Sequence, residues 1–474
     1  MLYILLAIAA IATVGYFIYK KVHAASAIFA VGVALLMLAA ATGRVTLSTQ
    51  DIESSGNAFY DELLIIESLF KSRFSGTGMA IMVLFGFVGY MRHIGADAKT
   101  VVVLSQPLRR FEGSYWLVPV SFAVGTLLSL VVPSASALSL LLVATLMPAL
   151  IAAGMTPLTV GAIVVTSSTI APSPLEAGLI QGADLVGMTV TEFTFNNVAY
   201  ATVPALLVVA ITHMWWQRRC DLRDAAKVSA ATNSSAEAEV HDDESARRIQ
   251  EAIERARGLP GFYALLPLLP LVLIVVSATL NRLGVADFEA DILPVTVVSL
   301  FVTMVIEAVR LRSATAAVDA LQDFFKGLGE GAAGVVSLIV AAAILVEGIT
   351  QMGVIAALTN LAQASSGAAV LMVIVFVLAT SLMAVLTGSG VAPYFAFSEM
   401  VPGLAAESTV HAPQMLASIW SASNLMRQAS PVNAAVLIVA GALQVNPVDL
   451  VRRTIVPMLA GTVSAVIFAF LFIS

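Results

Sequence analysis

The 474-residue chain reads as an all-α polytopic membrane protein, an inverted repeat of two halves with broken helices at the midplane. Three observations predict that class. Hydrophobic residues make up 59% of the sequence and charged residues 11%, against roughly 25% charged in a soluble domain; mean hydropathy is +0.95. Apolar runs of about twenty residues recur along most of the chain, the length a helix needs to cross a bilayer core of ~30 Å. Pro, Gly and Ser motifs recur in both halves at a nearly constant offset. Backbone groups in lipid must be satisfied internally, so the runs are expected to be helices. The alternating strands of an outer-membrane barrel are missing from the pattern.

In chain order, the first half covers residues 1–216, with spans near 3–19, 24–42, 77–91 and 193–213. Between them lie a re-entrant hairpin at about 117–150 and a broken helix at about 158–185. Residues 217–258, rich in Ala, Ser, Glu, Asp and Arg, read as a flexible cytoplasmic linker with a short helix at 246–256. The second half, 259–474, has spans near 261–281, 293–309, 332–350 and 454–473. Its hairpin falls at about 368–404 and its broken helix at about 413–442. Each half thus has about five crossings and one hairpin, so the halves have opposite orientation, the plan of many secondary transporters.

Five motif pairs carry the repeat. Pro133-Ser134-Ala135-Ser136 matches Gly388-Ser389-Gly390, and Met147-Pro148 matches Val401-Pro402. Ser173-Pro174 matches Ser430-Pro431, Val203-Pro204 matches Val456-Pro457, and Ile94-Gly95 matches Met352-Gly353, all offset by 253 to 258 positions.

No basic residue precedes the first apolar run, and Lys20-Lys21 follows it, the reverse of a cleavable signal peptide. A retained first helix with its N-terminus outside is expected. Thirteen basic residues then fall on the inner face, Arg92, Arg310 and Arg453 among them, against Arg44, Lys71, Arg73 and Arg282 outside. That asymmetry agrees with the positive-inside rule and leaves both termini periplasmic. Net charge is −6 and lies in loops, and the single Cys220 can form no internal disulfide. No nucleic-acid partner and no cofactor is expected, and no metal is assigned.

Two kinds of motif point to a ligand. The hairpin tips, at Ser134, Ala135 and Ser136 and at Thr387, Gly388, Ser389 and Gly390, offer small residues, hydroxyls and helix-start amides suited to a carboxylate. Tight helix packing is the plainer use of such residues. The helix breaks, at Thr166–Pro174 and Ser421–Pro431, put irregular backbone at membrane depth, where only protein or a water-filled cavity can receive it. Ser173, Asn424 and Ser430 lie in these breaks.

Arg427 is the sharpest single residue, the one Lys or Arg of 24 inside an expected span. Such a charge costs at least about 2.5–3.5 kcal/mol on insertion scales. Its planar fork suits one carboxylate of a diacid; an internal ion pair with Glu176 or Glu347 is the competing use. Glu176, just after the first break, is the candidate coupling residue, as a proton carrier or as a counter-charge to Arg427. The five histidines fall in loops or at helix ends and receive no role.

At these residues the chain resembles the DcuC family of anaerobic C4-dicarboxylate carriers. The resemblance runs almost the whole length. It is strongest in Ala144-Thr145-Leu146-Met147-Pro148, Thr387-Gly388-Ser389-Gly390, Ala392-Pro393-Tyr394-Phe395-Ala396-Phe397, Ala422-Ser423-Asn424-Leu425, Arg427, Ser430-Pro431 and Arg453-Thr454. It implies a bacterial inner-membrane carrier for succinate, fumarate or malate, with succinate efflux coupled to protons; a sodium ion is the other candidate coupling cation. It also implies the wider ion transporter superfamily, with homodimers, a moving transport domain, and substrate held between hairpin tips and broken helices. Val391 stands where the family's second tip usually has an amide, and Pro174-Leu175-Glu176 replaces the usual Ser-Gly-Asp. Another organic anion or an amino acid on the same fold is the alternative substrate. An ion channel usually builds its filter from rings of identical subunits, and an intramembrane enzyme needs a nucleophile–base pair or metal ligands that no span supplies.

Overall fold

The computed structural model describes residues 2–20, 22–45, 47, 52–105, 115–132, 134–230, 253–254, 256–285, 288, 290–353, 368–406 and 410–473. These residues are helical with no strand among them. The first half supplies α1 (Leu2–Tyr19), α2 (Ala24–Ala41), α3 (Ala58–Arg73), α4 (Met79–Ile94), α5 (Ala96–Ser105), α6 (Leu117–Ser129) and α7 (Ala135–Ala152). It continues with α8 (Pro157–Thr166), α9 (Ala177–Val186), α10 (Val190–Glu192) and α11 (Ala199–Ala230). The second half supplies α12 (Leu269–Arg282), α13 (Ile292–Leu311), α14 (Ala314–Asp319), α15 (Leu321–Gly331), α16 (Ser337–Gln351) and α17 (Ala368–Thr387). After them come α18 (Val391–Ser398), α19 (Val401–Ala405), α20 (Ala412–Met426), α21 (Ala434–Leu443) and α22 (Pro447–Phe472).

Among the described residues, nine helical stretches are long and apolar enough to cross a membrane. Two of them, Ala135–Ala152 and Val370–Thr387, fall inside the segments expected as hairpins.

Two spans are longer than the sequence pattern suggests. The span expected at 77–91 begins at Ala58, where the Asn57 side chain accepts from the Phe59 and Tyr60 amides. The charged residues Asp61, Glu62, Glu67, Lys71 and Arg73 dilute the hydropathy of α3 and hide it. A wide turn at Phe74–Gly78, with Gly76 at φ −89°, ψ −114°, joins α3 to α4. The span expected at 332–350 likewise begins at Ala314 and passes a wide turn at Ala332–Val336. Such turns leave backbone groups out of the regular ladder and often mark functional positions.

Residues 217–230, expected as the start of a flexible linker, are helical. α11 continues as helix to Ala230, because its polar residues have partners in α22. The Gln217 amide donates to the Arg453 carbonyl at 2.9 Å, and Arg453 pairs with Asp221 at 2.5 Å and Asp224 at 2.6 Å. Arg453, expected in an inner loop, is 4% exposed and lies within α22. Of the short helix expected at 246–256, residues 253, 254 and 256 are described and helical; the rest lies outside the described residues, as does Pro133.

Packing brings distant elements together: α11 on α22, α4 on α15, α2 on α16, and α20 between α17 and α22. Glycines set the closest approaches. A Cβ on Gly32 of α2 would lie 2.7 Å from the Leu345 nitrogen of α16, and one on Gly348 2.8 Å from Leu35 Cβ. Gly15 of α1 has nothing within 4 Å. Gly32→Leu should therefore force α2 from α16, costing about 1–3 kcal/mol by overpacking. Thermal unfolding in detergent, followed by size exclusion, should show a lower midpoint for Gly32→Leu and an unchanged one for Gly15→Ala.

Candidate functional site

Both expected breaks are present in the chain path. α8 stops at Thr166 and α9 starts at Ala177, with non-helical backbone between. α20 stops at Met426, passes a tight turn at Arg427–Ala429, and α21 starts at Ala434. Proline at positions 172, 174 and 431 denies the ladder its donors in these stretches.

The two breaks meet. Arg427 Nη2 donates to the Ser168 carbonyl at 3.0 Å and to its hydroxyl at 3.2 Å. The neighbouring Gln428 amide donates to the same carbonyl at 2.5 Å, and Thr454 Oγ1 donates to the Gln428 carbonyl at 2.7 Å. Backbone freed by one break is thus satisfied by side chains of the other.

A cavity of about 120 Å³ opens beside this junction, well above the roughly 10–15 Å³ that one water needs. Its walls come from α4, the end of α6, the first break, Val391, Asn424 and Arg427. Of the expected site residues, Ser173, Glu176, Asn424 and Arg427 line it. Gly390 sits directly behind them: a Cβ there would be 2.7 Å from Asn424 Oδ1 and 3.0 Å from Arg427 Cδ.

Arg427 Nε is buried and has no hydrogen-bond partner, and among the described residues no carboxylate lies within ion-pair distance of the guanidinium. The ion pairs with Glu176 or Glu347 are therefore not formed. Glu176 instead caps α9, accepting from the Leu179 amide at 3.0 Å and from Trp420 Nε1 at 2.9 Å, both through Oε2. Glu347 lies away from the cavity and accepts from Gln351 Nε2 at 3.0 Å.

Other expected residues do not line the cavity. Ser134 is exposed and caps α7 through the Ala137 amide; Ala135 and Ser136 follow it in the first turn. Thr387 Oγ1 accepts from the Ser389 amide at 3.2 Å, and Ser389 Oγ from the Ala392 amide at 3.3 Å. Gly388, at φ +68°, presents its carbonyl to Asn433 Nδ2 at 2.7 Å. Ser430 is buried and its hydroxyl accepts from the Val432 amide at 3.3 Å. These hydroxyls shape their own turns, a local use that competes with ligand binding.

Sequence reading missed Ser168 and Trp420 as members of the site. Trp420, Asn424 and Arg427 stand at i, i+4 and i+7, one helical face, and that spacing could have drawn Trp420 in. It also missed a polar cluster beyond the cavity. Arg73, expected in an outer loop, pairs with Glu399 at 2.5 Å; Gln181 Nε2 donates to Glu399 at 2.8 Å, and Ser398 donates to Gln181 at 2.9 Å. Arg427 is therefore one of several basic side chains drawn into the helical body, with Arg73 and Arg453.

The family model described as "DcuC: C4-dicarboxylate anaerobic carrier" matches residues 2–474. The chain belongs to the DcuC family. That family is one of membrane carriers, not enzymes. Proteins named "Anaerobic C4-dicarboxylate transporter DcuC" from Escherichia coli and Shigella flexneri are each 30% identical to it over 464 residues, 98% of this chain and 95% of theirs. A Vibrio cholerae protein named "Probable anaerobic C4-dicarboxylate transporter DcuC" is 30% identical over 468 residues, 98% of this chain and 97% of its own.

The Gly390 contact gives a direct test of the cavity. Gly390→Ala keeps an ordinary backbone conformation (φ −87°, ψ −31°) but pushes a methyl against Asn424 and Arg427. A carboxylate ligand seated in this cavity should bind it about tenfold more weakly, ~1.4 kcal/mol, while the unliganded protein still folds. Ligand-induced thermal shift measures both.

Proposed function

We propose that this DcuC-family chain is a secondary active transporter moving C4-dicarboxylates (succinate, fumarate, malate) across the bacterial inner membrane by alternating access. The observation that carries the reading is the Arg427 guanidinium at the cavity, buried and held by Ser168, with its Nε unpartnered and no carboxylate of the described residues in ion-pair reach. A guanidinium in that state is prepared for an anion, and its fork fits a carboxylate better than any neutral group. The names of the relatives supply the class of anion.

The two halves are proposed as an inverted repeat, residues 1–216 and 259–474, with hairpins near 117–150 and 368–404. Supporting this, the wide turns begin at Phe74 and Ala332, 258 positions apart. Left-handed caps follow the paired helices α9 and α21, at Gly187 and Gln444, and Gly95 and Gly353 also have positive φ. Periplasmic termini are supported by the grouping of residues assigned to the outer face: Arg44 Nη1 reaches the Met352 carbonyl at 3.4 Å, and Arg282 donates to Asn196 at 2.8 Å. A homodimer is proposed from the superfamily resemblance.

Coupling is proposed through a proton or a sodium ion, with Glu176 as the coupling residue at the cavity wall. A transporter of another organic anion is favoured instead by Val391, an apolar side chain at the cavity where the resemblance expects an amide.

Arg427→Ala should lose dicarboxylate uptake in proteoliposomes by at least about a hundredfold, as expected for a charge-assisted contact of ~3 kcal/mol, while folded protein remains in the membrane. Uptake within a few-fold of wild type would remove Arg427 from the site. Glu176→Gln should stop responding to an imposed pH gradient yet keep substrate counterflow, and a panel with and without sodium identifies the cation; a full gradient response in this variant refutes Glu176 as the carrier.

A further inference from the structure

Glu62 lies in α3, is fully buried, and does not line the cavity around Arg427. Neither of its carboxylate oxygens has a hydrogen-bond partner. A buried ionised carboxylate with neither donor nor counter-charge is among the costliest arrangements a fold can hold.

Among the described residues, the elements packed most closely on α3 supply no counter-charge to it. They are α2, the wide turn at Phe74–Gly78 and α16. α2 carries no ionisable side chain, and beyond its end Arg44 reaches the Met352 carbonyl. The wide turn also carries none, and Arg73 before it is committed to Glu399 and Asp184. On α3 itself, Asp61 accepts from Ser54 at 2.7 Å and Ser55 at 2.6 Å, and Glu67 pairs with Lys71 at 2.5 Å. α16 adds a second negative group, Glu347, which acts on Glu62 electrostatically.

What does adjoin Glu62 is the amide of Gln351, one helical turn beyond Glu347. Its Nε2 donates to Glu347 Oε1 at 3.0 Å. Its Oε1 is buried and has no donor. Two buried oxygens on Glu62 and one on Gln351 are therefore without a donor in hydrogen-bond geometry among the described residues. A proton on Glu62 removes its uncompensated charge and gives it an O–H to donate, and Gln351 Oε1 is an unpartnered acceptor on the packed helix α16. A hard divalent cation takes about six or more oxygens, and no cluster of three or more His, Cys, Asp or Glu capable of holding a metal occurs among the described residues.

We propose that Glu62, Gln351 and Glu347 form a proton-binding site separate from the substrate cavity, in which protonated Glu62 donates to Gln351. The site stands on buried acceptors and not on any transport step.

Infrared difference spectroscopy on the full chain in liposomes, at neutral pH and without substrate, reads the carbonyl stretch of a protonated carboxylic acid. Glu62→Gln retains the shape and a donor toward Gln351, so the fold is kept, as size exclusion checks. The acid band should be present in the wild type, lost in Glu62→Gln, retained in Glu176→Gln and shifted in Gln351→Leu. A band that survives Glu62→Gln, fails to shift in Gln351→Leu, or vanishes on adding sodium at constant pH overturns the proposal. Because the readout involves no transport, its failure is distinct from failure of the carrier reading.

Discussion

The carbonyl of Ser168 is the point on which the two halves of the chain depend. It belongs to the first broken helix, where the backbone has lost its own ladder, and it is held by Arg427 and Gln428 from the second. Backbone left unpaired at membrane depth costs several kcal/mol per group. The break in one half is therefore tolerated because the break in the other supplies its donors. The cavity exists beside this junction because the same donors hold the two breaks apart from regular helix. Thr454 extends the tie to α22 by donating to the Gln428 carbonyl.

Several other buried charges have defined partners. Arg453 is matched by Asp221 and Asp224 across more than two hundred positions, with Thr159 and Gln217 filling further contacts. Arg73 is matched by Glu399, and Glu307 by Arg310 and the Tyr263 hydroxyl. Removing one member of such a pair strands the other in a dry interior, which costs more than the pair itself contributes. Arg427 and Glu62 depart from this pattern: the partners of Arg427 are neutral, and Glu62 has no partner among the described residues.

Helicity, the spans and both breaks were legible because they rest on local signals: apolar length, proline, and polar residues inside an apolar run. Arg427 was legible for the same reason, as a charge where hydropathy predicts none. The residues that escaped depend on distant partners. α3 was hidden because Asp61, Glu62 and Arg73 lower its hydropathy, and nothing local says that Glu399 will neutralise Arg73. Arg453 and the helical part of the linker were hidden likewise, each polar residue being explained only by the other. The tips were read for their chemistry, yet Ser134, Thr387 and Ser389, like Ser430 in the second break, use their hydroxyls on neighbouring amides, a short-range competition that composition cannot resolve. Gly390 contributes through its missing Cβ.

Charge balance in the cavity bears on coupling. With Glu176 ionised, it and Arg427 together leave the cavity nearly neutral, whereas a fully ionised C4-dicarboxylate carries two negative charges. On the proposed reading Arg427 offsets one of them. The other then faces the Glu176 carboxylate; two like charges ~4 Å apart repel by about 4 kcal/mol at an effective dielectric near 20. A proton on Glu176, or a sodium ion beside it, removes that repulsion, so entry of the dianion and entry of a cation favour each other through charge alone. Glu176 is joined by Trp420 Nε1 to the helix that carries Arg427, on the same face, so on the proposed reading a change of charge at Glu176 reaches the element that would hold the anion.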